Sequence, residues 1–77
     1  MKNVTIYSTP TCHFCHVAKE FFKVNNVQFT NYDVSIDVEK RAEMVQKSGQ
    51  MGVPVIFVDG EMIIGFDEGK IKLLLEI

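Results

Sequence analysis

The sequence lacks the features that would mark a membrane protein or a nucleic-acid-binding protein. Its apolar runs fall far short of the roughly 20 residues that a membrane-spanning helix requires. It has no excess of positive charge either, because eight basic residues stand against ten acidic ones and the formal net charge is -2. No basic field would therefore attract nucleic acid or an anionic membrane surface. We expect no nucleic-acid partner and no membrane partner.

The chain also starts without a secretory signal, which needs a basic start, a long apolar core and a small-residue cleavage site. Met1-Lys2-Asn3 instead leads directly into a short run with strand character. We therefore expect a cytoplasmic protein. At 77 residues, without a repeat, linker or low-complexity segment, residues 1–77 should form a single domain, and we expect a monomer.

Cysteine is scarce, and both copies, Cys12 and Cys15, lie three positions apart. Thiols are kept reduced in the cytoplasm, and a disulfide closing so short a loop would hardly constrain the unfolded chain. The pair is therefore more typical of a catalytic, redox-sensing or metal-binding site than of a structural disulfide.

Apolar patterns predict the elements around this pair. Val4 to Tyr7 is β-branched or aromatic and predicts a strand ending near Ser8, because Pro10 cannot donate a ladder hydrogen bond. Three- and four-residue spacing of apolar residues then predicts a helix from about residue 13 to Asn25-Asn26. Its expected buried face consists of Phe14, Val17, Ala18, Phe21 and Phe22.

The middle of the chain predicts a second strand over Val27 to Val34 and a second helix over Val38 to Lys47. Ser35 or Asp37 can cap this helix, and Ser48-Gly49 ends it. Val38, Ala42 and Val45 are expected to face the core, and Glu39, Lys40, Arg41 and Glu43 the solvent.

The last third predicts a hairpin, because Asp59-Gly60 separates two apolar runs, Pro54 to Val58 and Glu61 to Ile64. Lys70 to Ile77 predicts a final helix that packs Ile71, Leu74 and Leu75 onto the sheet. The order β-α-β-α-β-β-α indicates an α/β fold: one mixed sheet of about four strands flanked by three helices. Strands separated by helices are expected to pair in parallel, and the hairpin adds an antiparallel strand.

The two cysteines should not be equivalent. In a helix starting near residue 12 they share one face about a turn apart, close enough to form a disulfide. Cys12 lies where backbone N–H groups have no intrahelical acceptor, and no Asp or Glu precedes Glu20, so Cys12 should be the better-stabilised thiolate. Cys12 would attack a substrate disulfide, Cys15 would resolve the mixed disulfide, and an external reductant would restore both thiols.

Other interpretations of the same residues stay open. Cys12-His13-Phe14-Cys15-His16 also matches C-x-x-C-H, the attachment pattern of c-type haem, although haem attachment occurs in exported proteins. Zinc would need four converging ligands, and the other candidates, His13 and His16, crowd the same turn, so only an intersubunit site is feasible. Two inert core cysteines are a further interpretation. We expect no bound metal.

Four short motifs together resemble a glutaredoxin: Ile6-Tyr7-Ser8, Thr11-Cys12-x-x-Cys15, Val53-Pro54 and Gly65-Phe66-Asp67. The resemblance covers nearly the whole chain, and similar proteins include electron donors of ribonucleotide reductase. It implies the minimal thioredoxin fold, with Cys12 as nucleophile, Cys15 as resolving thiol and a cis Val53-Pro54 bond.

The resemblance also implies a substrate site. Thr11, His13, Phe14, Val53 and Pro54 would line it beside the cysteines. Gly65, Phe66 and Asp67 would hold the γ-glutamyl end of glutathione through backbone N–H groups. The alternative is that this last segment is a turn in which Asp67 caps the final helix.

The chain departs from the glutaredoxin pattern mainly where the reductant would bind. His13-Phe14 replaces the usual Pro-Tyr, and Thr9 replaces a basic residue. Gly52-Val53-Pro54 replaces Thr-Val-Pro, and Ile64-Gly65 replaces a double glycine. Lys40, Arg41 or Lys47 could supply a cation for a glutathione carboxylate. A protonated His13 would favour the Cys12 thiolate and make the disulfide more oxidising.

Two functions follow as hypotheses. The first is a dithiol–disulfide oxidoreductase that reduces protein disulfides or glutathione mixed disulfides. It would hold no bound cofactor beyond its redox-active disulfide, and glutathione or thioredoxin reductase would supply electrons. The second is a dimeric module that holds a metal or an iron–sulfur cluster through Cys12. Cluster-binding relatives carry C-G-F-S, and the second cysteine here favours the enzyme.

Overall fold

A computed structural model describes residues 2–77. The elements follow the expected order. They are β1 (Val4–Ser8), α1 (His13–Val24), β2 (Thr30–Asp33), α2 (Val38–Ser48), β3 (Val55–Val58), β4 (Glu61–Ile64) and α3 (Glu68–Leu75). None of the helices within residues 2–77 is long and apolar enough to span a membrane.

The four strands form one mixed sheet in the order β2-β1-β3-β4. β1 runs parallel to β2, as expected across α1, with Tyr7 opposite Tyr32. β3 lies antiparallel to β1, however, with Val55 opposite Tyr7. The prediction of parallel pairing was therefore wrong for β3. An intervening helix shows only that the chain leaves the sheet and returns to it, whereas direction depends on which end of the sheet the chain re-enters.

The sheet is covered on both faces. One face packs against α1 and α3, and its core includes Ile6, Phe22, Ile56 and Ile71, all with no exposed surface. The other face packs against α2, where Met44 contacts a smaller cluster around Tyr7, Val34 and Val55. Neighbouring residues of β1 and β3 thus pack into opposite cores, which explains why Ile6 and Tyr7 of β1 and Val55 and Ile56 of β3 are all buried.

α1 ends at Asn25-Asn26 as predicted, but the following strand is shorter than predicted. Asn26 adopts a left-handed conformation with φ of 58°. Its N–H donates to Lys23 O (3.1 Å), and the Val27 N–H donates to Phe22 O (2.8 Å), which together make a Schellman motif. Val27 therefore terminates the helix, and β2 begins only at Thr30.

The buried faces of α1 and α2 differ from the prediction at individual positions. In α1, Phe14 was assigned to the buried face but is 59% exposed, whereas Cys15 is fully buried. In α2, Val38 is 64% exposed and Ala42 is also exposed, whereas Met44 is the buried residue. Apolar character alone does not decide which residues are buried, because the packing of each helix against the sheet sets its rotation.

The hairpin and the last helix follow local signals. Asp59 and Gly60 both have positive φ, 48° and 89°, which is the geometry that an Asp-Gly turn favours. α3 begins two residues earlier than predicted, because Asp67 caps it by accepting a hydrogen bond from the Lys70 N–H at 3.1 Å. Ile71 is fully buried, and Leu74 and Leu75 pack against the same core, as predicted.

Candidate active site

Cys12 is the N-cap residue of α1, directly after the turn that follows β1. Its backbone is extended, with φ of -86° and ψ of 116°, and its Sγ accepts a hydrogen bond from the Cys15 N–H at 3.2 Å. The side chain is half-buried. A sulfur that accepts from a free helix N–H is stabilised most when it carries negative charge, so this position suits a thiolate.

Cys15 lies one turn further along α1 and has no exposed surface. Burial, with the neighbouring Cys12 as a further contribution, raises the pKa of the Cys15 thiol to about 12. Both cysteines are free thiols. The two sulfurs are therefore unequal, as expected. Cys12 is partly exposed to solvent, whereas Cys15 is buried and stays protonated at neutral pH.

The loop before Cys12 is fixed by two hydrogen bonds. The Cys12 N–H donates to Thr9 O at 3.3 Å and closes a turn. The His16 ring nitrogen Nε2 lies 2.6 Å from Pro10 O, so Nε2 must carry the proton and donate. Thr11 in this loop is exposed.

His13 and Phe14, the residues between the cysteines, both face solvent. Their rings make an edge contact with centroids 5.3 Å apart. Neither side chain belongs to the core, so both are accessible to a molecule that approaches Cys12.

Val53 and Pro54 come from a distant part of the chain and lie beside Cys12. The bond between them is cis, as the family resemblance implied. The Cys12 thiol donates to Val53 O at a sulfur–oxygen distance of 3.7 Å. Pro54 is buried, and its carbonyl accepts from the Gly65 N–H at 2.8 Å. Cys12, Val53-Pro54 and Gly65 therefore form one continuous site.

Phe66 and Asp67 follow Gly65 in the chain, and their side chains make other contacts. The Phe66 ring packs against Phe21, in the C-terminal half of α1, with centroids 5.6 Å apart. Asp67 is exposed and caps α3. Gly65 is thus hydrogen-bonded to Pro54, the residue that follows Val53, while the Phe66 side chain packs at the edge of the core.

A second polar cluster, on the α2 face of the sheet, was not predicted. Glu43 was assigned to the solvent side, but its Oε2 accepts from the Tyr7 hydroxyl at 3.0 Å. Lys40 and Lys47 pair with the Glu43 carboxylate at 3.1 and 3.6 Å. Lys40 also lies 4.3 Å from the centre of the Tyr32 ring. A signal existed in the i, i+3, i+7 spacing of Lys40, Glu43 and Lys47.

Lys40 and Lys47, two of the cations suggested for a glutathione carboxylate, are already paired with Glu43.

The contacts of this cluster also change the pKa values of Glu43 and Tyr7. Hydrogen bonds from Lys40 and then Tyr7 lower the pKa of the Glu43 carboxyl. Burial, followed by the bond to Glu43, raises the pKa of Tyr7 to about 12.

Within residues 2–77 no group of three or more His, Cys, Asp or Glu side chains is arranged to hold a metal ion.

Known proteins are similar to this chain in sequence and in fold. The sequence pattern of the glutaredoxin family matches residues 4–63. A glutaredoxin-like 8.6 kDa protein from the rubredoxin operon of Clostridium pasteurianum is 45% identical over 73 residues, covering 95% of this chain and 97% of its own. Glutaredoxin 3 of Escherichia coli is 40% identical over 68 residues, covering 88% and 82%.

The solved structures agree. A mutant of a thioredoxin-like protein superposes on the whole chain with a TM-score of 0.92 at 35% identity, and 99% of that protein is covered. The three helices and four-stranded mixed sheet are therefore the thioredoxin fold. With this fold, the C-x-x-C pair at the start of α1 and the sequence match over most of its length, the chain belongs to the glutaredoxin family.

Proposed function

We propose that this chain is a dithiol–disulfide oxidoreductase that reduces protein disulfides or glutathione mixed disulfides through Cys12 and Cys15. The observation that carries the proposal is the inequality of the two sulfurs. Cys12 Sγ is half-buried and accepts from the Cys15 N–H at 3.2 Å, whereas Cys15 has no exposed surface. Only Cys12 can meet a substrate disulfide from solution.

In the first step the Cys12 thiolate attacks one sulfur of the substrate disulfide. A Cys12–substrate disulfide forms, and the other substrate sulfur leaves as a thiolate that takes a proton from solvent. The hydrogen bond from the Cys15 N–H holds Cys12 Sγ towards the open end of α1 in this step.

In the second step Cys15 loses its proton and attacks Cys12 Sγ. The Cys12–Cys15 disulfide forms, and the second substrate sulfur is released and protonated. The charge on Cys12 that helps to raise the pKa of Cys15 is absent once Cys12 is in a mixed disulfide, which lowers the cost of this deprotonation. Two electrons pass to the substrate, and an external reductant must return them.

The proposed substrate site consists of Thr11, His13, Phe14 and the Val53-Pro54 segment. His13 and Phe14 are exposed next to the sulfurs, and the Val53 carbonyl is already in contact with Cys12 Sγ. A disulfide partner in extended conformation could form backbone hydrogen bonds along this segment.

For glutathione, the proposed contacts are the backbone N–H groups that precede α3. The Gly65 N–H is engaged by Pro54 O, which leaves those of Phe66 and Asp67 as candidates for the γ-glutamyl carboxylate. Either glutathione with its reductase or thioredoxin reductase would return the electrons. No bound cofactor is required, and the reducing cytoplasm is the compartment that suits this cycle.

The test is an NADPH-coupled assay, run once with glutathione and glutathione reductase and once with thioredoxin reductase. The reductase system that supports NADPH oxidation in the presence of the protein identifies the reductant. Cys12→Ser should abolish activity on every disulfide, whereas Cys15→Ser should keep activity on glutathione mixed disulfides if glutathione is the reductant. Full activity of the Cys12→Ser protein would refute the mechanism. Colour and metal content of the purified protein test the alternative of a cluster held through Cys12.

A further inference from the structure

The solvent-facing side of α1 forms a groove that begins at the active site. Its volume is about 530 Å³, and it is lined by His13, His16, Val17, Lys19, Glu20 and Lys23. One end of the groove lies at His13, the residue that directly follows the attacking Cys12. The other end lies at Lys23, in the last turn of the helix.

Two lysines of the groove have no ion-pair partner. Lys19 and Lys23 take part in none of the ion pairs formed among residues 2–77, as is also true of Lys2, Arg41 and Lys70. Lys40, Lys47 and Lys72 are paired with glutamates of their own helices. The groove contains a single acidic side chain, Glu20, so its two lysines leave it with a net charge of +1.

The rest of the molecule has the opposite character. The chain carries a net charge of -2, and no Asp or Glu precedes Glu20. The remaining acidic residues lie beyond α1, from Asp33 onward. Such an asymmetric distribution orients a charged partner during encounter and favours approach along the positive side. That side is the one that leads to Cys12.

We propose that the α1 groove binds an acidic segment of the protein substrate, next to the disulfide that Cys12 attacks. This inference rests on the proposed oxidoreductase function and specifies its substrate. From His13 to Lys23 the helix rises about 15 Å, which matches about four or five residues of an extended peptide. Carboxylates of that peptide would meet Lys19 and Lys23, and Val17 gives the groove an apolar side chain.

The test compares three disulfides reduced by the fully reduced protein in single turnovers. The first is bis(2-hydroxyethyl) disulfide, which is small and uncharged. The second is a disulfide peptide flanked by four Asp or Glu residues, and the third is the same peptide with Asn and Gln instead. The acidic peptide should react roughly fivefold to tenfold faster than its neutral counterpart at low salt. The advantage should shrink as salt screens the charges.

A matched pair of variants locates the effect. Lys23→Glu reverses a charge in the groove, and Lys72→Glu makes the same change in net charge on α3, outside the groove. Lys23 and Lys72 are both exposed, and Lys72 loses only a surface ion pair with Glu68. Lys23→Glu should remove most of the preference for the acidic peptide, and Lys72→Glu should keep it.

The outcomes separate the two proposals. If the uncharged disulfide is reduced but the two peptides react at equal rates, the groove is not a docking site and the oxidoreductase proposal stands. Equal losses in Lys23→Glu and Lys72→Glu also overturn the docking proposal, since only net charge would then matter. If no disulfide is reduced at all, the proposed function fails and this inference fails with it.

Discussion

The Tyr7 hydroxyl donates a 3.0 Å hydrogen bond to Glu43, across the interface between the central strand and α2. Tyr7 is buried, with 2% of its surface exposed, and its ring also contacts the rings of Tyr32 and Phe57. α2 is therefore attached to the sheet by a polar bond at the edge of an aromatic cluster. The helix contributes one fully buried side chain, Met44, to this interface.

Tyr7→Phe should lower the free energy of unfolding by about 1 kcal/mol, because it removes this bond and leaves the ring packing intact. Glu43 keeps its two lysine partners in the variant. Urea denaturation followed by circular dichroism measures the change. Tyr32→Phe is the matched control, since the Tyr32 hydroxyl makes no hydrogen bond among residues 2–77, and its effect should stay within about 0.5 kcal/mol. Equal effects of both variants would show that the Tyr7–Glu43 bond adds nothing.

Stability should fall on the alkaline side in two overlapping steps. The folded state holds the protons of Cys15 and Tyr7 up to a pKa of about 12, whereas the unfolded values are near 9.0 and 10.0. The unfolded chain therefore releases these protons first, and stability is full below pH 9 and declines towards pH 12. Urea midpoints measured from pH 8 to pH 11 test this.

Two variants assign the alkaline steps. Tyr7→Phe should make the decline above pH 10 shallower, and Cys15→Ser should reduce the decline that starts near pH 9. On the acid side the sign is reversed, because the pKa of Glu43 is lowered in the folded state. The contribution of Glu43 to stability is fully present above the ordinary pKa of a glutamate and is lost as the pH falls through the lowered pKa of the folded state. An unchanged alkaline slope in both variants would contradict this assignment.

Alkylation of the reduced, folded protein should distinguish the two cysteines. Iodoacetamide reacts with thiolates, so at pH 8 it should modify Cys12 and leave Cys15, which has no exposed surface and a pKa raised to about 12. Intact-mass measurement followed by peptide mapping should find one added group, on Cys12. Unfolding in urea should expose both thiols to the reagent. Comparable labelling of Cys15 in the folded protein would remove the basis for its role as resolving thiol.

Two glycines should respond in opposite directions to replacement by alanine. Gly49 ends α2 with φ of 73°, where a side chain is strained, so Gly49→Ala should lower stability by about 1 kcal/mol. Gly69 lies inside α3, and an added Cβ would meet nothing closer than Asp67 Oδ1 at 3.8 Å. Gly69→Ala should therefore raise stability by about 0.5 kcal/mol. Thermal unfolding of both variants measures this, and stabilisation by Gly49→Ala would contradict the left-handed cap.

The sequence predicts best those features that local hydrogen bonds decide. Asn26 and Asp59-Gly60 take the positive φ values that end a helix or turn a hairpin, and Asp37 caps α2 as proposed. The inequality of the cysteines also follows from position at a helix start. Each of these depends on residues within about five positions of one another.

Features that depend on a distant partner were missed or came only from the family resemblance. Glu43 reads as a solvent residue in a charged run, and only the Tyr7 hydroxyl, 36 positions away, makes it an interface residue. The direction of β3 was wrong for the same reason, since apolar patterns do not encode strand polarity. No local pattern indicates that Val53 lies beside Cys12, because 41 positions separate them.

The contact of Asn3 with Asp59 has a consequence for how the chain folds during synthesis. The Asn3 N–H donates to Asp59 Oδ1 at 2.7 Å, and the Asp59 N–H donates to Asn3 O at 2.9 Å. β1 is a central strand, so one of its edges stays unpaired until β3 and this turn have left the ribosome. The cysteines are synthesised before Val53, so the active site can be assembled only after the segment that follows α2 has left the ribosome.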